Sequence, residues 1–238
     1  MPAQNRKVAI VTGASQGIGA GIVEGYRRRG WAVVATSRTI KPSADPAVLT
    51  VAGDVSEPAT ADRIVGDALE HFGRIDTLVN NAGVYVSKPF IDYTADDYAA
   101  VVGVNLTGFF RLTQLTIAQM LARGSGHVVN VTTTLVDFAD SNSPSVLTSL
   151  TKGGVAAATR SLAVEYASRG IRINAVSPGV IQTPVHDPKS YADLGERLPP
   201  VGHVGQVSDI VDAVLFLEAS PFITGEILHV DGGQIAGH

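Results

Sequence analysis

Seven short runs dominated by Val, Ile, Leu, Ala and Thr recur along this chain, separated by longer stretches with helical patterning. They fall at 8–11, 32–36, 48–51, 77–79, 127–131, 172–176 and 226–230. Several are almost wholly Val, Ile and Leu, as expected of strands covered on both faces. Strands that alternate with helices belong to parallel sheets. The chain therefore reads as α/β, with a seven-stranded, mostly parallel sheet and helices on both faces. Right-handed crossovers wind it into one doubly wound domain over residues 1–238.

Punctuation residues set the helix limits. One helix should begin at Ser56 as N-cap, with Pro58 in its first turn, and run to about Phe72. A long one starts near Thr94 and ends before Gly124. Another follows Pro144 and ends at Gly170, and a fourth runs from the N-cap Ser208 to just before Pro221. Arg27-Arg28-Arg29 before Gly30 reads as a helix C-terminus, where cations meet the negative end of the macrodipole. Residues 178–206, rich in Pro and Gly, carry no strong pattern and read as a mobile substrate lobe.

Composition closes off several functions. Hydrophobic residues make up 45% of the chain and charged residues 17%, enough apolar surface for one large core. A net charge of −4 without a basic face argues against nucleic acid. The absence of Cys excludes disulfides, thiolate catalysis and Cys-ligated zinc. None of the six His residues pairs at metal-ligand spacing, so no metal site is expected. No apolar run is long enough to span a bilayer, and Met1-Pro2-Ala3-Gln4-Asn5-Arg6-Lys7 lacks a signal-type apolar segment. A soluble, cytoplasmic protein with no membrane partner is expected.

Thr12-Gly13-Ala14-Ser15-Gln16-Gly17-Ile18-Gly19 follows the first strand and opens the first helix. Glycines there let backbone N–H groups approach a pyrophosphate at a helix N-terminus. Asn80-Asn81-Ala82-Gly83 ends the fourth strand, Asn105 lies in Val104-Asn105-Leu106-Thr107-Gly108, and Pro178-Gly179 ends the sixth strand. With Asp231-Gly232-Gly233 near the end, these motifs resemble the short-chain dehydrogenase/reductase family over essentially the whole chain. The resemblance implies a Rossmann fold and a nicotinamide cofactor. It also implies that Asp54-Val55 holds the adenine and that the Asn81-Ala82-Gly83 backbone passes the adenosine ribose. Ile181 and Thr183, beyond Pro178-Gly179, match positions that hold the carboxamide.

The end of the second strand separates the two nicotinamide cofactors. NAD-binding relatives place an acidic residue there, which takes the ribose hydroxyls. This chain has Ser37 followed by Arg38, a guanidinium suited to a 2′-phosphate. Gln16 occupies a position where many NADP-binding relatives carry a second basic residue. NADP(H) is favoured over NAD(H).

By the same resemblance, catalysis belongs to an Asn, a Ser and a Tyr-x-x-x-Lys pair. Asn105 and Lys152 match the first and last. The Ser position falls in Thr132-Thr133-Thr134, with Thr133 the best match and its neighbours open as alternatives. At the Tyr position stands Thr148, and no Tyr lies anywhere between Ser143 and Lys152. An aliphatic hydroxyl is far less acidic than a phenol, whose pKa is about 10. It also falls short by roughly 4 Å, given bond lengths near 1.5 Å. Candidate substitutes are Tyr85, Asp137, Asp140, His186, Tyr191, or a water held by Thr148 and Lys152, the last ranking first.

Two readings follow. One is an NADP(H)-dependent oxidoreductase acting on a small-molecule carbonyl or alcohol with a non-standard proton donor. The other is a catalytically silent NADP(H)-binding sensor or assembly partner. Small apolar residues on the two long helices, among them Gly103, Gly108 and Ala156-Ala157-Ala158, match the helices that pair across a two-fold axis in relatives. A homotetramer is the expected assembly.

Overall fold

A computed structural model describes residues 6–184 and 199–237. Its seven strands are β1 (Val8–Thr12), β2 (Ala32–Ser37), β3 (Val48–Ala52), β4 (Thr77–Asn80), β5 (Gly126–Val131), β6 (Ile171–Pro178) and β7 (Ile227–Val230). They form one sheet in the order β3-β2-β1-β4-β5-β6-β7, and every pairing is parallel. The helices are α1 (Gly17–Arg28), α2 (Pro58–Phe72), α3 (Ala95–Val102), α4 (Phe109–Arg123), α5 (Val146–Tyr166) and α6 (Val207–Ala219). None is long and apolar enough to cross a membrane.

The period of two in each strand divides the core. Val8, Ile10, Val34, Leu78 and Ile173 turn to the face covered by α2, α4 and α5. Ala9, Val11, Val33, Val79 and Val176 turn to the face covered by α1 and α6. With both faces covered, apolar residues dominate the strands, and the buried polar ones, such as Thr77, Asn130 and Asn174, are hydrogen-bonded. Each fully buried Val, Ile or Leu adds about 1.5–3 kcal/mol.

The layers also correct the winding. The chain passes from β4 to β5 to β6 over the α4–α5 face, but from β6 to β7 through α6 on the opposite face. The last crossover therefore has the opposite hand to the others, against the right-handed expectation. The long link between β6 and α6 removes the steric pressure behind that rule, and α6 covers sheet that α1 alone leaves bare.

Several helix limits differ from expectation. Glu57, not Ser56, is the N-cap of α2, because the Ser56 hydroxyl is spent on Asp54 at 2.7 Å. Gln206, not Ser208, caps α6 in a box with Asp209. The long helix from Thr94 is interrupted by a π-helical turn at Gly103–Gly108 between α3 and α4. Gly30, with φ 78°, follows α1 as expected, and α5 gives way to a short 3₁₀ turn, Ala167–Arg169, before Gly170.

At the end of the sheet away from the glycine turn, Glu218 accepts hydrogen bonds from Tyr26 (3.1 Å), Thr77 (2.8 Å) and His127 (2.9 Å). This buried network ties α1 and α6 to the starts of β4 and β5. It leaves the C-terminal strand ends free to build a site.

Candidate active site

Across the C-terminal ends of β1, β2 and β4 lies a cleft of about 490 Å³. Gly13, Ser15, Gln16, Gly17, Ile18 and Gly19 form one wall, and Ser37 and Arg38 close one end. Asp54 and Val55, then Asn81, Ala82 and Gly83, form the facing side, with Thr183 also lining it. Pro178 ends β6, and Gly179 and Ile181 follow it beyond the lining. Sequence reasoning missed four lining residues: Thr39, Gly53, Val84 and Val104.

The glycine turn and the Asn-Ala-Gly turn are one unit. The Thr12 hydroxyl accepts from the backbone N–H of Asn81 (3.0 Å) and Ala82 (2.9 Å), and the Asn81 side chain donates back to the Thr12 carbonyl at 2.9 Å. Gly13 has φ 65°, and a Cβ there would sit 3.0 Å from Ala82 Cα. A Cβ on Gly19 would run into the Gly13 carbonyl. Only glycine permits this approach, which keeps the cradle open to a phosphate.

At the cleft's end the Ser37 hydroxyl is buried with no hydrogen-bond partner among the described residues, and Arg38 lies largely exposed, 4.0 Å from Asp54. Hydrogen bonds from Ser56 to Asp54 Oδ1 hold that carboxyl below the usual range despite its partial burial, with Arg38 adding to the effect. Asp54 is thus an ionised acceptor at neutral pH.

Asn105 lies in the π turn, a distortion frequent at functional sites. Its side chain clamps one residue on both sides, accepting from Val84 N at 2.8 Å and donating to Val84 O at 3.0 Å. Lys152 is buried in α5 and donates to the Val131 carbonyl at 2.7 Å. Desolvation lowers its ammonium to about 8, and no carboxylate faces it among the described residues.

Of the three threonines after β5, Thr132 donates to the Val176 carbonyl and Thr134 meets the Gln234 side chain. Thr133 accepts from Leu135 N at 3.4 Å, which leaves its own hydroxyl proton to give. Thr148 is 4% exposed, and its hydroxyl is buried without a partner among the described residues. A water held there requires its neighbours to move, which weighs against the relay ranked first from sequence.

The other substitutes part company. Asp137 pairs with His229 at 3.2 Å, and Asp140 holds its own loop through Asn142. Tyr85 reaches Ser143 at 2.6 Å. His186 and Tyr191 lie outside the described residues. Among the described residues no group of His, Asp or Glu is placed to hold a metal.

The sheet order and the threonine-anchored glycine cradle have sequence counterparts. Residues 13–234 match a family model described as enoyl-(acyl carrier protein) reductase. The 3-oxoacyl-[acyl-carrier-protein] reductase of Thermotoga maritima is 30% identical over 96% of this chain and 98% of its own length. The chain belongs to the short-chain dehydrogenase/reductase family. Another relative, the 3β-hydroxysteroid dehydrogenase 1 of Eggerthella lenta, is 34% identical over 96% of this chain and 93% of its own. Among solved structures, ElxO with NADP bound superposes with a TM-score of 0.91 at 26% identity, covering 98% of this chain and all 100% of the other. A tyrosine-to-phenylalanine variant of ElxO with NADPH bound gives 0.90 at 27% identity over the same shares.

Proposed function

We propose that the protein is an NADP(H)-dependent oxidoreductase that interconverts a small-molecule carbonyl and alcohol. The observation that carries this reading is the single cleft that gathers the glycine cradle, Ser37, Arg38, Asp54 and the Asn81-Ala82-Gly83 turn. The residues fit the cofactor: a Cβ would fill the cradle at Gly13 and Gly19, and Ser37 and Arg38 line the end of the cleft. Ser37 and Arg38 would take the 2′-phosphate, Asp54 the adenine amino group, and Ile181 and Thr183 the carboxamide. Bound there, the nicotinamide supplies or accepts hydride.

The chain's own residues do the rest. Lys152 holds the ribose hydroxyls, Asn105 fixes the Val84 backbone beside it, and Thr133 donates to the substrate oxygen. The NADPH-bound ElxO variant that has Phe in place of a Tyr supports cofactor binding without a full set of phenols. Residues 178–206 act as the substrate lobe. A cytoplasmic enzyme without disulfides fits this chemistry.

Two separate apolar faces support a homotetramer. Phe110 is 64% exposed beside a groove of about 440 Å³ between α4 and α5, and Phe216 and Phe222 are exposed on and beyond α6. Two distinct faces, each pairing with its own copy across a two-fold axis, would generate a closed tetramer.

Fluorescence titration with NADPH and NADH, beside NADPH consumption over a carbonyl panel, tests the reading. NADPH should bind more tightly, by about 1.5–3 kcal/mol for a charge-assisted contact, and Arg38→Ala should abolish the preference. Equal affinities in the unmodified protein contradict the cofactor assignment. The buried, unpartnered Thr148 hydroxyl favours a second reading, a silent NADP(H)-binding protein, which predicts tight NADPH binding with no turnover.

A further inference from the structure

We propose that Tyr85 supplies the phenolic proton donor that position 148 lacks, reaching the substrate from the opposite wall of the site. This rests on the oxidoreductase reading above. The backbone that carries Tyr85 is part of the catalytic constellation. Asn105 holds both the N–H and the carbonyl of Val84, the residue immediately before it. One residue further back, a Cβ on Gly83 would lie 3.3 Å from Lys152 Nζ. Tyr85 therefore emerges directly beyond the segment that touches both Lys152 and Asn105.

Its hydroxyl then crosses to the chain that leads into α5, meeting Ser143 Oγ at 2.6 Å. Two further bonds pin the same strip of chain, Ser87 Oγ to the Pro144 carbonyl at 3.0 Å and Lys88 N to that carbonyl at 3.1 Å. Thr148 stands in the first turn of α5, which opens two residues after Pro144. The phenol so placed keeps 46% of its surface exposed, so substrate and solvent both have access to it. Among the described residues the Thr148 hydroxyl has no partner, and it is buried.

The proton balance closes within these groups. In reduction the carbonyl carbon receives hydride from the cofactor, and the π pair withdraws onto oxygen. That oxygen takes the Tyr85 proton: the substrate O–H forms and the phenol O–H breaks. Ser143 Oγ, which can act as donor or acceptor toward Tyr85, turns its own proton toward the phenolate. Solvent reprotonates the half-exposed ring, and oxidation of an alcohol runs the same steps backwards.

The deciding comparison is Tyr85→Phe against Ser143→Ala, with the unmodified protein beside them. Both variants remove the same interresidue hydrogen bond, but only the first removes the proton. Tyr85→Phe should lower kcat by roughly 10²–10⁴ while Ser143→Ala loses roughly tenfold or less, and both should bind NADPH normally by fluorescence. A second readout needs no turnover. In ultraviolet titration of tyrosinate, NADP⁺ should shift the ionisation of one phenol in the unmodified protein, and Tyr85→Phe should lack that response. Equal losses in the two variants, or an unimpaired Tyr85→Phe, overturn the assignment while leaving the oxidoreductase standing. Tight NADPH binding with no turnover in the unmodified protein overturns both.

Discussion

Gly83, which lines the cleft, lies against Lys152: a Cβ on the glycine would lie 3.3 Å from the lysine ammonium and 3.5 Å from Asn105 Oδ1. The contact joins the turn that follows β4 to α5, the helix that carries Lys152. Gly83→Ala should crowd Lys152 away from the cofactor ribose without unfolding the chain, since the neighbour needs to yield only a few tenths of an ångström. The expected result is a loss of NADPH affinity of roughly tenfold, about 1.4 kcal/mol. Unchanged affinity by fluorescence titration would show that Lys152 does not depend on this contact.

Lys152 should also leave a signature in stability. Burial lowers its ammonium to about 8 from 10.5. Below pH 8 the folded and unfolded chains both hold the proton, and folding bears the whole cost of burying the charge, about 3 kcal/mol for such a displacement. From pH 8 to 10.5 the unfolded chain binds more protons, so stability rises with pH through that window. Lys152→Met removes the titration. Its stability advantage over the unmodified apo-protein, whatever its size at pH 7, should shrink by about 3 kcal/mol on going above pH 10.5. Urea midpoints across this range measure it, and a difference that stays flat with pH contradicts the burial account.

What the sequence revealed and what it hid follow physical lines. The strands were readable because those such as β1 and β2 are covered on both faces, and such burial leaves a nearly continuous apolar run. The glycine cradle was readable because φ 65° at Gly13 and the contact at Gly19 demand glycine at fixed spacing. The π turn around Asn105 has no residue signature, since its i→i+5 bonds are a choice of the backbone. Capping at Glu57 and Gln206 was hidden because the nearby serines looked sufficient, whereas the Ser56 hydroxyl is taken by Asp54 and the Asp209 carboxylate by the Gln206 backbone N–H. Thr39, Gly53, Val84 and Val104 line the cleft through their position on the turns, without any chemical mark. Tyr85 was visible as a candidate, but its partner Ser143 lies 58 residues away, a relation that only the fold creates.

Assembly offers a separate test. Phe110 stands exposed at the edge of the groove between α4 and α5, whose other lining residues include Phe109, Ile117, Leu121, Leu162 and Tyr166. An exposed apolar patch of this kind marks an interaction face. Phe110→Glu puts a charge where a second copy should pack, and light scattering should report a smaller species than the unmodified protein at the same micromolar concentration. The isolated chain should keep its fold, because Phe110 lies outside the buried core. A monomeric mass for the unmodified protein would rule out the tetramer.

Thr148→Tyr returns a phenol to the helix face that Lys152 occupies four residues later, the spacing at which side chains on one helix meet. Thr148 is 4% exposed, so the ring must displace the atoms that now cover its hydroxyl. The segment at 143–144, which leads into α5, is held to Tyr85, Ser87 and Lys88 by three hydrogen bonds. With Tyr85 already giving the proton, the single variant should gain little, at most roughly a few fold in kcat. In the Tyr85→Phe background the same substitution should recover roughly 10²-fold or more, because general acid catalysis of that order is what the lost phenol supplied. A large gain in the single variant would mean that the scaffold is competent and that no phenol serves it now, which contradicts the role assigned to Tyr85. Recovery confined to the double variant would show two phenols, reaching one substrate oxygen from opposite walls, doing the same work.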